Sequence, residues 1–202
     1  MKKLMVAVAA VVIGSSAMAQ VMPVAQTAAP TEVGKISATL AVAKTFGDND
    51  VTIFGARASY GVIENLLVIG DVGMVDYGES KVGIGIAAQY SLAMLQLPVD
   101  LAVRLGFDCW NVSKLIDYGF VNGMVLASKK IEQVDGLAAY VGLGAAIALG
   151  SKDYVADSFS LLVNAGATYA LPVENLSVFA EMTFASGNDI GVGVGAGATY
   201  AF

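Results

Sequence analysis

The stretch DIGVGVGAGATYAF, from Asp189 to Phe202, decides how the rest of the chain reads. Ile190, Val192, Val194, Ala196, Ala198, Tyr200 and Phe202 share one parity, and Gly191, Gly193, Gly195, Gly197, Thr199 and Ala201 share the other. A strict two-residue period marks a strand, whose side chains alternate between two faces. One face is apolar throughout and ends in aromatics, while the other carries almost no side chain. That asymmetry is out of place in a soluble core. It suits a strand that faces lipid outward and a crowded barrel interior inward.

At the other end, Lys2 and Lys3 precede an apolar run from Leu4 to Ile13, and small residues follow as far as Ala17-Met18-Ala19. This is the pattern of a secretory signal peptide over residues 1–19, with cleavage expected near Ala19. The apolar run is roughly half the ~20 residues a transmembrane helix needs. No lipoprotein cysteine follows it, so a lipid anchor is not expected. Without the two leader lysines, nine of the 11 basic residues face 17 acidic ones, and a charge near −8 argues against nucleic acid as a partner. The sequence is 56% hydrophobic, yet beyond the leader its apolar residues come in alternating runs of about ten, too short for spanning helices. Hydrophobicity of that kind predicts an all-β membrane barrel. Cys109 is the single cysteine; it excludes an intramolecular disulfide and reads as a small apolar wall residue.

Residues 20–33, QVMPVAQTAAPTEV, hold two prolines and no sustained alternation, and read as a flexible periplasmic lead-in to a barrel over residues 34–202. Strands are expected near 35–46, 51–62, 66–76, 81–92, 99–110, 136–150, 158–171, 176–185 and 190–202. A repeat runs through them: Ala58-Ser59-Tyr60-Gly61-Val62, Ala88-Gln89-Tyr90-Ser91-Leu92, Ala167-Thr168-Tyr169-Ala170-Leu171 and Ala198-Thr199-Tyr200-Ala201-Phe202. Each places a tyrosine close to a turn or the chain end, as an interfacial aromatic girdle requires, so these strands end at one membrane surface. Ile63-Glu64-Asn65-Leu66 and Val173-Glu174-Asn175-Leu176 are matching short turns after two of them. Because Tyr90 and Tyr169 must lie on the same side, three crossings between them are too few. Phe120 to Ile131, whose alternation is muddled, is the needed fourth, which makes ten antiparallel strands; eight strands with one hairpin outside the membrane is the alternative. The opposite rim carries Phe46, Tyr77, Phe107, Trp110, Tyr118, Tyr154, Phe159 and Phe184 near strand ends, a second girdle, with short connections between the strands.

With Phe202 at its end and Tyr200 two residues before it, the chain resembles the small Gram-negative outer-membrane β-barrel proteins, porin-like or similar to the membrane domain of OmpA. The resemblance implies a transmembrane barrel in the bacterial outer membrane with both termini periplasmic. It also implies that Tyr200 and Phe202 form the assembly signal read by the barrel-assembly machinery, so the expected partners are that machinery and outer-membrane lipid. No peptidoglycan-binding domain follows the barrel, so no cell-wall tether is implied.

The chain has no histidine, which removes histidine-based triads, histidine acid–base chemistry and imidazole metal sites. No carboxylate pair has catalytic spacing, so no enzyme, catalytic residue, cofactor or metal site is expected. Gly193-Val194-Gly195-Ala196-Gly197 superficially fits a dinucleotide loop but lacks the helix that would aim its dipole at a phosphate. Alternation does turn four charges inward: Arg57, Asp71, Arg104 and Glu181. Each sits a few residues above a periplasmic turn, so they can meet as a lumen cluster. They read either as mutually paired charges filling a closed interior or as a polar constriction in a narrow passage. Glycine and alanine on the inward positions of strands seven and ten leave room for water. The acidic rim, with Asp48, Asp50, Asp76, Glu79, Asp117, Asp153, Asp157 and Asp189, reads as a solvated face.

Three roles follow: a structural or membrane-integrity barrel with a largely closed lumen, a small cation-preferring pore, or surface recognition through the 110–117 loop around Trp110.

Overall fold

A computed structural model describes residues 22–46, 51–76, 80–95, 97–110, 118–150, 159–186 and 191–202. They form ten strands: β1 (Ile36–Phe46), β2 (Val51–Ile63), β3 (Leu66–Asp76), β4 (Ser80–Ser91), β5 (Asp100–Trp110), β6 (Tyr118–Lys130), β7 (Leu137–Gly150), β8 (Phe159–Ala170), β9 (Leu176–Ser186) and β10 (Gly191–Ala201). Every strand pairs antiparallel with its sequence neighbours, and β1 closes the cylinder on β10 from Ser37↔Ala201 to Phe46↔Val192. Closure leaves no edge strand with unpaired amides, the condition for a sheet in hydrocarbon. A short 3-10 turn, Ala93–Leu95, lies between β4 and β5.

The ten-strand expectation holds, with bounds close to those read from alternation. β6 is the crossing that parity demanded. Its pattern is blurred because its lumen side is itself largely apolar: Met124 and Leu126 are buried inward beside Asn122 and Ser128, while Val121 and Val125 are exposed outward. The repeat behaves as a girdle, with Tyr60, Tyr90, Tyr169 and Tyr200 all exposed on the outer face near the end that carries the short turns. Asn65 and Asn175 occupy equivalent positions in the two Glu-Asn turns with φ of 67° and 62°, a left-handed conformation that asparagine tolerates better than most residues.

Outside, Leu40, Ile86, Leu105, Leu143 and their neighbours form an exposed apolar surface. The second girdle is only partly there. Phe46 and Phe159 are exposed, whereas Trp110 is fully buried in the lumen; Tyr77 and Tyr154 lie outside the described residues. Trp110 turns inward because β5 presents Ala102, Arg104, Asp108 and Trp110 on one parity, and it packs over Gly83 of β4. Cys109 is buried and uncrosslinked.

Candidate functional site

The lumen differs from the sequence reading in one decisive respect. Of residues 22–33, expected as a flexible lead-in outside the barrel, residues 22–29 run through its interior and residues 30–33 lie at its mouth. Met22, Pro23, Val24, Ala25 and Ala28 are buried. Met22 packs with Val51, Ile53, Val75 and Trp110 toward the end opposite the short turns, and the chain descends to Gly34, whose amide donates to the Gly61 carbonyl at 2.8 Å. Phe202 lies at the short-turn mouth, the expected end for the C-terminus, and the described part of the lead-in begins at Met22 in the opposite half; residues 1–21 lie outside the described residues. The segment fits inside because a ten-stranded wall with many inward glycines leaves a space that side chains of the wall do not fill.

The inward glycines are the seats of this segment. A Cβ at Gly55 would collide with Met22, one at Gly61 with the Glu32 carbonyl, and one at Gly195 would lie 2.8 Å from Pro23 Cγ. Elsewhere wall side chains take the space: Phe179 covers Gly197 and Met124 covers Gly142. Much of the room expected for water along β7 and β10 is thus occupied by protein atoms, and a cavity of about 30 Å³ remains beside Gly193 and Gly195.

The four charges singled out by alternation are all buried and meet around one peptide unit of the segment. Arg57 and Asp71 are cross-strand partners on β2 and β3. Arg57 donates to both carboxylate oxygens, Nε–Oδ1 at 2.7 Å and Nη2–Oδ2 at 2.8 Å, the bidentate geometry that makes such pairs strong. Arg104 Nη2 stands 3.8 Å from Asp71 Oδ2. Glu181 is joined to these groups through the segment: the Val24 and Ala25 amides donate to its two oxygens at 3.0 and 2.9 Å. On the other side the Val24 carbonyl accepts from Arg57 Nη1 and, at 3.4 Å, from Arg104 Nη1. Ala25 adopts a positive φ of 50°, which lets two successive amides face one carboxylate.

Further bonds hold the segment lower down. Gln89 Nε2 donates to the Thr27 carbonyl, Ser91 Oγ to the Ala28 carbonyl, and the Ala28 amide to Ser128 Oγ, each at 2.9 Å. Tyr140, Asn164 and Thr183 complete the shell of Glu181 with donor distances of 2.7, 2.8 and 3.2 Å. Sequence reasoning passed over these polar residues and Asp108, although Gln89, Asp108, Tyr140 and Asn164 share the inward parity and so carried a legible signal. The segment itself carried none. A cavity of about 360 Å³ remains at the short-turn mouth, between residues 26–32 and the wall at Ser37, Ser59, Leu67 and Gln89.

At the end of β10, the Tyr200 and Phe202 rings meet edge to face with centroids 5.0 Å apart, both exposed on the outer surface. The 111–117 part of the loop proposed for recognition lies outside the described residues, and Trp110, its intended anchor, is buried in the lumen.

No protein-family model and no curated protein matches the chain. Among solved structures it is similar to the N-terminal β-barrel domain of Pseudomonas aeruginosa OprF, at 10% identity over 85% of this chain and 100% of that one, TM-score 0.42. It is similar to the Yersinia pestis outer membrane protein Ail at 18% identity over 84% and 99%, TM-score 0.42. It is also similar to the KdgM porin at 10% identity over 81% and 99%, TM-score 0.43. The strand ladder makes the chain a closed antiparallel ten-stranded barrel, and the solved structures it is similar to are outer-membrane barrels.

Proposed function

We propose that this protein is a structural barrel of the bacterial outer membrane that contributes to membrane integrity with a sealed lumen, and that it has no enzymatic role. The observation that carries the reading is the occupation of the lumen by residues 22–28, pinned by wall groups from β2, β4, β5, β6 and β9. An open pore at this diameter needs a hydrated lumen. Here the Met22 layer and the charged layer below it are packed with protein. The apolar outer surface between tyrosine-bearing strand ends supports lipid as its surroundings. The exposed Tyr200–Phe202 pair supports recognition of the last strand by the assembly machinery.

Planar-bilayer recording of the purified full chain tests the seal: no stable unit conductance is expected, and reproducible steps overturn the reading. For the assembly signal, deleting Phe202 should lower the fraction of folded, heat-modifiable barrel recovered from outer membranes. An unchanged fraction removes that part of the proposal.

A further inference from the structure

We infer that the lumen is a binding site for an extended peptide, occupied in cis by residues 22–33, and that an ion-conducting passage lies beneath that occupant. The inference rests on the sealed-barrel reading and goes beyond it by assigning the seal to a separable element.

Three observations carry it. First, the wall grips the segment chiefly by its peptide groups: Glu181 takes two amides, Arg57 and Arg104 take one carbonyl, and Gln89, Ser91 and Ser128 take three further backbone atoms. Contacts of that kind select an extended chain rather than one side chain. Selectivity comes from the seats: a flexible apolar residue against Val51, Ile53, Val75 and Trp110, a proline on Gly195, and small side chains at positions 25 and 28. The ligand class is therefore a short, extended, largely uncharged peptide.

Second, the barrel does not need the segment to stay closed. The ladder from β1 to β10 is continuous among strand residues alone. The two main charged holding groups keep partners when it leaves: Arg57 retains Asp71, and Glu181 retains Tyr140, Asn164 and Thr183.

Third, below the apolar seat of Met22 the segment covers a cluster of charges. Arg57, Asp71, Arg104, Asp108 and Glu181 would line the vacated path, three acids against two bases, beside the empty seats at Gly55 and Gly195. Such a lining favours hydration and a mild preference for cations.

The test compares three proteins in planar bilayers: the full chain, the chain lacking residues 22–33, and the full chain carrying Val24→Arg. The last forces a long charged side chain into the buried apolar cluster that Val24 forms with Ala102, Met124, Leu126 and Leu162, and so expels the segment without altering a wall residue. The deletion and Val24→Arg barrels, each confirmed as folded by heat modifiability, should show stepwise cation-preferring conductance where the full chain shows none. A synthetic peptide of residues 22–33 added to the deletion barrel should abolish those steps. Conductance by the full chain would sink the sealed-barrel reading. Silence of a folded deletion or Val24→Arg barrel, or steps that the peptide leaves unchanged, would overturn the inference while the sealed-barrel reading stands.

Discussion

Asp71 is buried and held by two buried guanidinium groups, and removing it takes the carboxylate from both. Breaking a buried pair from one side costs about 3–5 kcal/mol, because the remaining charge has no compensation. Asp71→Ala should therefore lower the unfolding free energy extrapolated from urea titration by that order, and Arg57→Ala/Asp71→Ala should cost less than the two single changes together. Glu181 differs because its partners are mostly neutral donors. Glu181→Ala strands the Val24 and Ala25 amides and the Tyr140 hydroxyl, at roughly 1–3 kcal/mol for each group left unsatisfied. Its distinguishing effect is local: amide exchange at Val24 and Ala25 should accelerate more than exchange in the β-ladder, and equal acceleration everywhere would contradict the contact map around Glu181. Both acids were identifiable from parity, because a charge on the inward register of a barrel strand has few places to go. Their joint contact with one peptide bond was not, since Glu181 and Val24 are 157 residues apart.

Among elements, the two Glu-Asn turns and the aromatic seats show where local sequence is decisive. Asn65 and Asn175 hold left-handed backbone, which costs most residues about 1–2 kcal/mol. Asn65→Ala or Asn175→Ala should destabilise by that amount, while the glycine variants should be close to neutral; equal losses from alanine and glycine would remove the conformational argument. On β4, a Cβ at Gly83 would lie 2.5 Å from Trp110 Cε3. Gly83→Val should overpack the lumen and cost about 1–3 kcal/mol, read from the unfolding midpoint. The turns were legible from a repeated tetrapeptide. The Trp110 seat was misread because a tryptophan at a strand end satisfies the composition of a girdle, and only parity along β5, with the glycine opposite, sends it inward. β6 was the least legible element: apolar residues on both faces erase the two-residue period that normally reports orientation.

For the whole molecule, the outer surface is the constraint that organises the rest. Val194 lies near the middle of β10 on the exposed apolar face. Arginine there should cost roughly 2–4 kcal/mol if that level is the bilayer midplane, measured as folding free energy into lipid vesicles. A negligible cost would place Val194 in water and undo the membrane reading of the outer face. The sequence by itself determined the all-β alternation, the bounds of nearly every strand, the tyrosine-marked end and the four inward charges, and it favoured ten strands over eight. All of these follow from a period of two residues, which depends only on near neighbours. The tertiary structure alone decided that the lumen is filled, and by what. Residues 22–33 carry no periodicity, and their conformation is set by amides and carbonyls seeking partners on strands 33 to 157 residues away. Any peptide backbone has those groups, so nothing in the side-chain order announced where this one would find them.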